Sequence, residues 1–338
     1  MEYTTLGWSG IQVPRLCLGG MSFGKVVKGF HQWVLNEDDT RAVVAEALNQ
    51  GMNFIDTANC YAEGTSEQFI GGALKRLGVK REEVVLASKV FFNEGGLSAE
   101  AIHREIDKTL AHLGTDYLDL YIIHRFDYHT PMEETLEALD SLVCAGKVRA
   151  LGASEMYAYQ LYNLQQVAKD HGWTQFTSMQ CHYNLLYRED ERELIPVCRQ
   201  FGMALTPYSP LASGHLTRTT WNSDSLRSRT DATMRNKYDG AKEDDLKIIA
   251  RVANLAEKHQ APMADVALAW LRIKGVESPI VGCSSPARVD AAVHSLALEL
   301  TPEEMDYLEE PYCAHELVGP AARPGEKPLA GTTIPPMK

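Results

Sequence analysis

Asp56, Tyr61, Lys89 and His124 are the side chains of this sequence whose types and positions could do chemistry together. Each stands at or just after the end of a short apolar run. "NFIDTANCY" carries Asp56 and Tyr61, "VVLASK" ends in Lys89 and "LDLYIIH" ends in His124. A tyrosine hydroxyl ordinarily titrates near about 10, and a neighbouring cation brings that value down. A lysine held by a carboxylate can supply the cation, while a histidine can orient a carbonyl oxygen or share the proton. Together the four suit protonation of an oxygen as a carbonyl group is reduced. Each alone has a plainer reading, as a buried tyrosine, a surface lysine, or an acid or histidine closing a strand.

The elements that must position them alternate along the chain. Strands are expected at 15–19, 53–57, 84–89, 118–123, 148–153, 176–181, 203–208 and 279–282. Between them lie amphipathic segments at 37–50, 67–77, 99–113, 131–145, 156–171, 189–201, 243–259 and 286–295. Asn36 can cap the first of these, Ser66 the second, and Thr130 followed by Pro131 and Glu133 the fourth. Strands alternating with helices imply parallel pairing through right-handed crossovers, and eight such units favour a closed (β/α)₈ TIM barrel over an open doubly wound sheet. Residues 3–13 read as a β-hairpin turning near Ser9-Gly10 and capping the barrel bottom. Long loops at 20–36, with Phe30, His31 and Trp33, and at 212–242, with Arg218, Arg227, Arg229, Arg235 and Lys237, would emerge at the C-terminal face. The second reads as a lid or as a surface insertion. With no low-complexity linker, residues 1–338 read as one domain, 311–338 forming a tail that packs near the same face or is partly mobile.

Hydrophobic residues make up 45% of the chain, ample for a large core, and the net charge of −12 argues against nucleic acid or an anionic membrane as main partner. It leaves room for an anionic cofactor held by a local cluster of donors. Seven cysteines without C-x-x-C spacing suggest buried thiols in a reducing compartment. No basic-then-apolar leader opens the sequence and no apolar run is long enough to span a bilayer, so a soluble, cytoplasmic protein is expected.

Several motifs are set aside. "GGMSFGK" at Gly19–Lys25 nearly matches a phosphate-binding P-loop, but Val26 replaces the Ser or Thr that holds magnesium and no helix reads after it. No G-x-G-x-x-G follows a strand, which leaves an ordinary dinucleotide-binding fold unsupported. No metal site is expected, because no His or Cys pair has helical metal-ligand spacing flanked by carboxylates. His103 and His112, on a charged helix, read as solvated. Lys89 at a strand end could instead form a Schiff base, a rival chemistry that leaves Tyr61 without a role.

"MNFIDTANCY" at 52–61 closely resembles the signature of the aldo-keto reductases, in which an Asp is followed five residues later by the catalytic Tyr. Lys89 and His124 close the third and fourth strands as that family's Lys and His do. "LGTDYLDLYIIH", "VRALGAS", "PYSPLASGHL" and "SPIVGCSSPARVD" resemble its further segments in the same order, over about residues 3–310. "GGMSFG" and the long segment 212–242 are similar to a bacterial group related to potassium-channel β subunits.

The resemblance implies a barrel that binds NADPH in extended form and reduces aldehydes or ketones, with Tyr61 as general acid, Lys89 and Asp56 tuning it, and His124 positioning the carbonyl oxygen. It implies that Ser154 and Gln180 bond the nicotinamide carboxamide and that Tyr208 stacks on the ring. Ser209, Leu211 and Gly214 would line the pyrophosphate path, with Gly20, Met21 and Asp56 beside strand one. Gly282, Ser284, Ser285 and Arg288 would meet the adenosine end. Glu155 and Ser284 depart from the family's common Asn and its Lys or Arg, and Ala292 from its Asn or Glu, which keeps NADH open as a second cofactor. Trp33, Phe91 and Tyr128 offer walls for a small carbonyl substrate. Arg125 could pair with a carboxylate or phosphate on it, or equally with Asp127 or a loop acid. Cys60 reads as a packed thiol or one open to oxidation. An NADPH-binding regulatory subunit is the non-enzymatic alternative, and oligomeric state is not legible.

Overall fold

The structure, a computed structural model, describes residues 1–27 and 31–317. Phe30 and the tail from 318 to 338 lie outside the described residues. A hairpin of β1 (Tyr3–Thr5) and β2 (Gln12–Pro14) precedes eight parallel strands: β3 (Cys17–Gly19), β4 (Phe54–Asp56), β5 (Val85–Val90), β6 (Leu118–Ile123), β7 (Val148–Ser154), β8 (Phe176–Gln180), β9 (Ala204–Leu205) and β10 (Ile280–Val281). They pair in the order β10-β3-β4-β5-β6-β7-β8-β9. The two ends of that sheet meet through the Ser278 and Ile280 amides, which donate to the carbonyls of Leu205 and Pro207 at 3.3 and 2.9 Å. The result is a (β/α)₈ barrel.

Strand parity decides what points where. Successive strand residues face opposite sides. Cys17, Phe54, Val85, Ala87, Leu120, Ile122, Ala150, Ala204 and Ile280 form the inner core together with Leu6, Ile11 and Val13 of the hairpin segment. Leu18, Ile55, Leu86, Tyr121, Ile123 and Leu151 instead join the outer core under the helices. Counting on by two from the inner residues reaches Asp56, Lys89, His124 and Ser154, so all four lie on the barrel's inward parity at its C-terminal end. The hairpin closes the opposite end. Gly7, at φ +55°, lies so close to β8 and β9 that an added Cβ would sit 2.3 Å from the Thr177 carbonyl oxygen.

The helices include α1 (Glu37–Asn49), α2 (Thr65–Leu77), α3 (Ala99–Leu113), α4 (Met132–Cys144), α5 (Ala158–His171) and α6 (Leu194–Gln200). After β9 come α7 (Leu226–Thr230), α8 (Ala232–Tyr238), α9 (Lys242–His259), α10 (Met263–Ile273), α11 (Pro286–His294) and α12 (Pro302–Glu309). Asn36 caps α1 as expected, accepting from the Asp39 amide. Two expected caps differ. Ser66 lies inside α2 and donates instead to the Gly20 carbonyl at 2.8 Å; Pro131, not Thr130, takes the N-cap position of α4, while Thr130 donates to Asp127. The 189–201 segment divides into a 3₁₀ turn (Glu189–Glu191) and α6. Segment 212–242 is built of turns and the short helices α7 and α8. Among the described residues no helix is long and apolar enough to cross a membrane.

Candidate active site

Lys89 is the centre of the site and is fully buried. Its ammonium has three protons, and three acceptors take them: Asp56 Oδ2 at 2.6 Å, the Thr57 carbonyl oxygen at 2.8 Å and the Tyr61 hydroxyl at 3.2 Å. β4 and β5 are adjacent, which brings Asp56 and Lys89 to the same rim. Tyr61 opens a 3₁₀ turn in which Ala62 and Glu63 take left-handed conformations, φ +47° and +55°. Backbone of that kind costs about 1–3 kcal/mol per residue and persists where surrounding contacts impose it. Here Gly24 packs against Ala62, with no room for a Cβ, and Thr65 donates to the Ala62 carbonyl.

His124 follows β6 directly, its amide donating to the Val90 carbonyl. Its ring stands edge-on to Tyr61, centroids 5.8 Å apart, and edge-on to Phe92 at 5.0 Å. Burial, with Lys89 and Arg125 adding to it, holds His124 well below the ordinary imidazole value, so it is neutral at pH 7. Burial pulls down on Lys89, but Asp56 and Tyr61 outweigh it and hold the ammonium above its usual range. Tyr61 corrects the sequence expectation. Lys89 does pull its hydroxyl down, but burial is the larger effect and pushes it up to about 12. The site therefore holds a protonated tyrosine against a charged lysine.

Asp56 also reaches across the barrel. Its Oδ1 accepts from Gln180 Nε2 at 3.0 Å, and the main-chain carbonyl of Gln180 accepts from Ser154 Oγ at 2.8 Å. Tyr208, after β9, accepts at its hydroxyl from Lys237 Nζ at 2.9 Å, and His182 stacks on its ring at 5.2 Å. Glu155 lies beside the Tyr208 hydroxyl and within electrostatic reach of Lys237 and Arg125; burial raises its carboxyl above the usual range.

A family model described as "Aldo/keto reductase family" matches residues 15–312. The chain belongs to the aldo/keto reductase family. It is 40% identical to the versiconal hemiacetal acetate reductase of Aspergillus parasiticus, with 97% of this chain and 100% of that protein covered. It is 39% identical to aldo-keto reductase AMT2 of Alternaria alternata, covering 92% of each, and 38% identical to aldo-keto reductase dtxS3 of Metarhizium robertsii, covering 94% and 93%. All three are fungal, and their names add nothing to the narrower likeness to channel-related bacterial proteins. Aldo-keto reductases use nicotinamide cofactors, and the chain is an NAD(P)H-dependent oxidoreductase.

The residues present fit such a cofactor. Gln180 retains an amide proton and its carbonyl oxygen after bonding Asp56, and Ser154 retains its lone pairs. A buried Glu155 oxygen, Oε1, has no hydrogen-bond partner. After Tyr208 come Ser209, Ala212, Ser213 and Gly214, all in left-handed conformations, in the turn that carries Leu211. Arg218, absent from the sequence reading of the site, wraps that turn by donating to the carbonyls of Gly214, Thr220 and Trp221. At the eighth strand, Gly282 and Ser284 lead to Ser285, the N-cap of α11. The Ser285 side chain makes no capping bond, which leaves helix N–H groups available near Arg288. Gly20 and Met21 form a 3₁₀ turn after β3, where Gly20 packs against the Asp56 carbonyl too closely for a Cβ.

The substrate-side candidates divide. Phe91 packs edge-on against Phe92 at 5.1 Å, beside His124. Arg125 stacks over Phe92 at 4.6 Å. Trp33 is covered by Arg227 of α7 at 4.3 Å, so the loop after β3 and segment 212–242 meet there. The Tyr128 hydroxyl accepts from Gln160 and its ring packs on Phe126, tying it to α5. Cys60 lies 3.9 Å from His124 Nδ1, and burial pushes its thiol up to about 11, which fits the packed-thiol reading. His112 is not solvated as expected: its Nδ1 bonds the buried Glu67 at 2.9 Å. Thr57 and Lys237 were missed as contributors; Lys237 stood out only as one cation among several in a polar stretch. From the tail, Tyr312 and the His315 amide donate to Glu189, beside the loop after β8.

Proposed function

We propose that the chain reduces aldehydes or ketones to alcohols with NADPH, Tyr61 acting as general acid. The observation behind this is the Lys89 ammonium, bonded at once to Asp56 and to the Tyr61 hydroxyl. A reduced nicotinamide, when bound, supplies hydride to the carbonyl carbon. Negative charge then grows on the carbonyl oxygen, and Tyr61 gives it a proton. The departing proton leaves charge on the tyrosine oxygen, directly beside Lys89, where a fixed cation in a water-poor site stabilises it without reorganising. Asp56 keeps Lys89 charged and aimed. Neutral His124, edge-on to Tyr61, is suited to bond the carbonyl oxygen and set its direction rather than to donate the proton.

Two features support further detail. Gln180 and Ser154 at the Asp56 end, with Tyr208 alongside, suit a carboxamide and a flat ring. The uncapped start of α11 with Arg288 suits a phosphate at the adenosine end, which favours NADPH, with NADH as a slower alternative. The Schiff-base chemistry finds no support, because a lysine with all three protons bonded and its ionisation raised offers no free amine. The reading is tested by oxidation of NADPH with 4-nitrobenzaldehyde, methylglyoxal and glyceraldehyde. Turnover that collapses in Tyr61→Phe while NADPH still quenches protein fluorescence supports it. Tight NADPH binding without turnover on any aldehyde would replace it with a regulatory role.

A further inference from the structure

Arg125 is a strongly charged side chain beside the catalytic group whose placement the proposed proton transfer does not explain. It follows His124 directly, and its guanidinium carbon sits 4.6 Å from the centre of the Phe92 ring, which packs edge-on against His124. Its Nε is buried without a partner, and among the described residues Arg125 makes no hydrogen bond or ion pair. The expected alternative, a bridge to Asp127, does not form. Asp127 Oδ2 accepts from the Leu97 amide and Thr130, and its Oδ1 from the His129 amide. Glu155 acts on Arg125 electrostatically but is not bonded to it, and Lys237 shares the same carboxylate.

Leaving Nε out of water and unbonded is unfavourable unless something arrives to bond it. Held over the Phe92 ring and unbonded to protein among the described residues, the guanidinium can offer its N–H groups to a planar, bidentate oxyanion. Phe92 joins it to the site, because that ring packs edge-on against His124 at 5.0 Å and His124 stands edge-on to Tyr61 at 5.8 Å. We propose that Arg125 forms a carboxylate subsite, and that the preferred substrate is an aromatic aldehyde carrying a carboxylate across the ring from the carbonyl. The ring would lie among Phe91, Phe92 and Phe126, with the carbonyl at Tyr61 and the carboxylate on Arg125. This rests on the carbonyl-reduction reading and names its substrate class.

The test compares 4-formylbenzoate with its methyl ester, which lacks the charge and carries the intrinsically more electrophilic aldehyde, so a preference for the carboxylate runs against reactivity. Wild type should favour the carboxylate in kcat/KM by roughly 10- to 100-fold, a preference that shrinks with added salt. In Arg125→Met that ratio should fall to about 1 or below, and Arg125→Lys should restore part of it. No preference in wild type, or an equal loss on both substrates in Arg125→Met, overturns the proposal. Calorimetric binding of terephthalate separates it from the catalytic reading. If neither aldehyde turns over, binding by wild type that is lost in Arg125→Met upholds the subsite, and absence of binding overturns it.

Discussion

Replacing Lys89 by Met tests whether the lysine acts through Tyr61. The ammonium and the hydroxyl oxygen are 3.2 Å apart. At an effective dielectric constant of about 20, a unit charge on that oxygen gains about 5 kcal/mol from Lys89. With about half a charge transferred in the transition state, the loss is about 2.6 kcal/mol, roughly 80-fold in kcat. The substitution also strands Asp56 in the core, and breaking a buried pair costs about 3–5 kcal/mol of stability, so rates belong well below the melting temperature. Lys89→Met with Asp56→Asn removes the stranded charge and serves as the folding control. Single-turnover reduction would be measured in wild type, Lys89→Met, Tyr61→Phe and Lys89→Met combined with Tyr61→Phe. If Lys89 works by stabilising the charge on Tyr61, the 80-fold effect vanishes once the hydroxyl is gone. An equal loss in both backgrounds would refute the reasoning and give Lys89 a role independent of the tyrosine.

Three further outcomes are expected. Reduction should show kcat level from about pH 7 to about 9, because Tyr61, pushed up to about 12, stays protonated and His124, held well below its ordinary value, stays neutral; a bell centred near neutrality would contradict both assignments. Glu67 raises His112 above its ordinary value, so that pair's contribution to stability is complete below the unfolded value, near about 6.5, and is lost as pH climbs through the folded one. His112→Gln should therefore lower the melting temperature more at about pH 6 than at about pH 9, and an equal drop at both would show that the charge plays no part. Gly7→Ala, forced into a left-handed conformation against the Thr177 carbonyl, should cost roughly 1–3 kcal/mol in urea unfolding and leave kcat unchanged, since the hairpin closes the end of the barrel away from the site.

The eight strands were legible because strands buried on both faces read as compact apolar runs, and each run ended within a residue or two of its observed strand or overlapped it. Four helices escaped: α7 and α8 lie inside the polar stretch read as a long loop, and α10 and α12 escaped for reasons of their own. α10, "MADVALAWLRI", is buried over seven consecutive residues from Asp265 to Leu271, and a helix surrounded by core shows no stripe against a polar background. α12 carried a full local signal, with Thr301 as cap, Pro302 next and Glu304 closing the capping box, so it could have been found. The four catalytic candidates were visible because strand ends in a barrel converge whatever their separation in sequence. Lys237 and Glu155 were not visible as neighbours of Tyr208, since their meeting depends on how segment 212–242 folds back. The tyrosine's ionisation was misjudged for a related reason: the cation was legible, but the depth of burial that opposes it was not.

Asp56 makes the site more than four residues near one another. Its two oxygens are committed to different partners, Oδ2 to Lys89 and Oδ1 to the Gln180 side-chain amide. A carboxylate pinned from both sides cannot swing, and the direction of the lysine depends on it. Residues suited to the nicotinamide therefore also set the geometry of the acid. Gln180→Met removes one of the two anchors while preserving most of the volume. If the coupling is real, kcat falls about tenfold at saturating NADPH, the size of one buried charge-assisted hydrogen bond, in addition to any rise in the KM for cofactor. The Tyr61→Phe background again discriminates, because a loss transmitted through Asp56 and Lys89 disappears there. A change confined to the cofactor KM would mean that Lys89 and Thr57 hold Asp56 in place without help from β8.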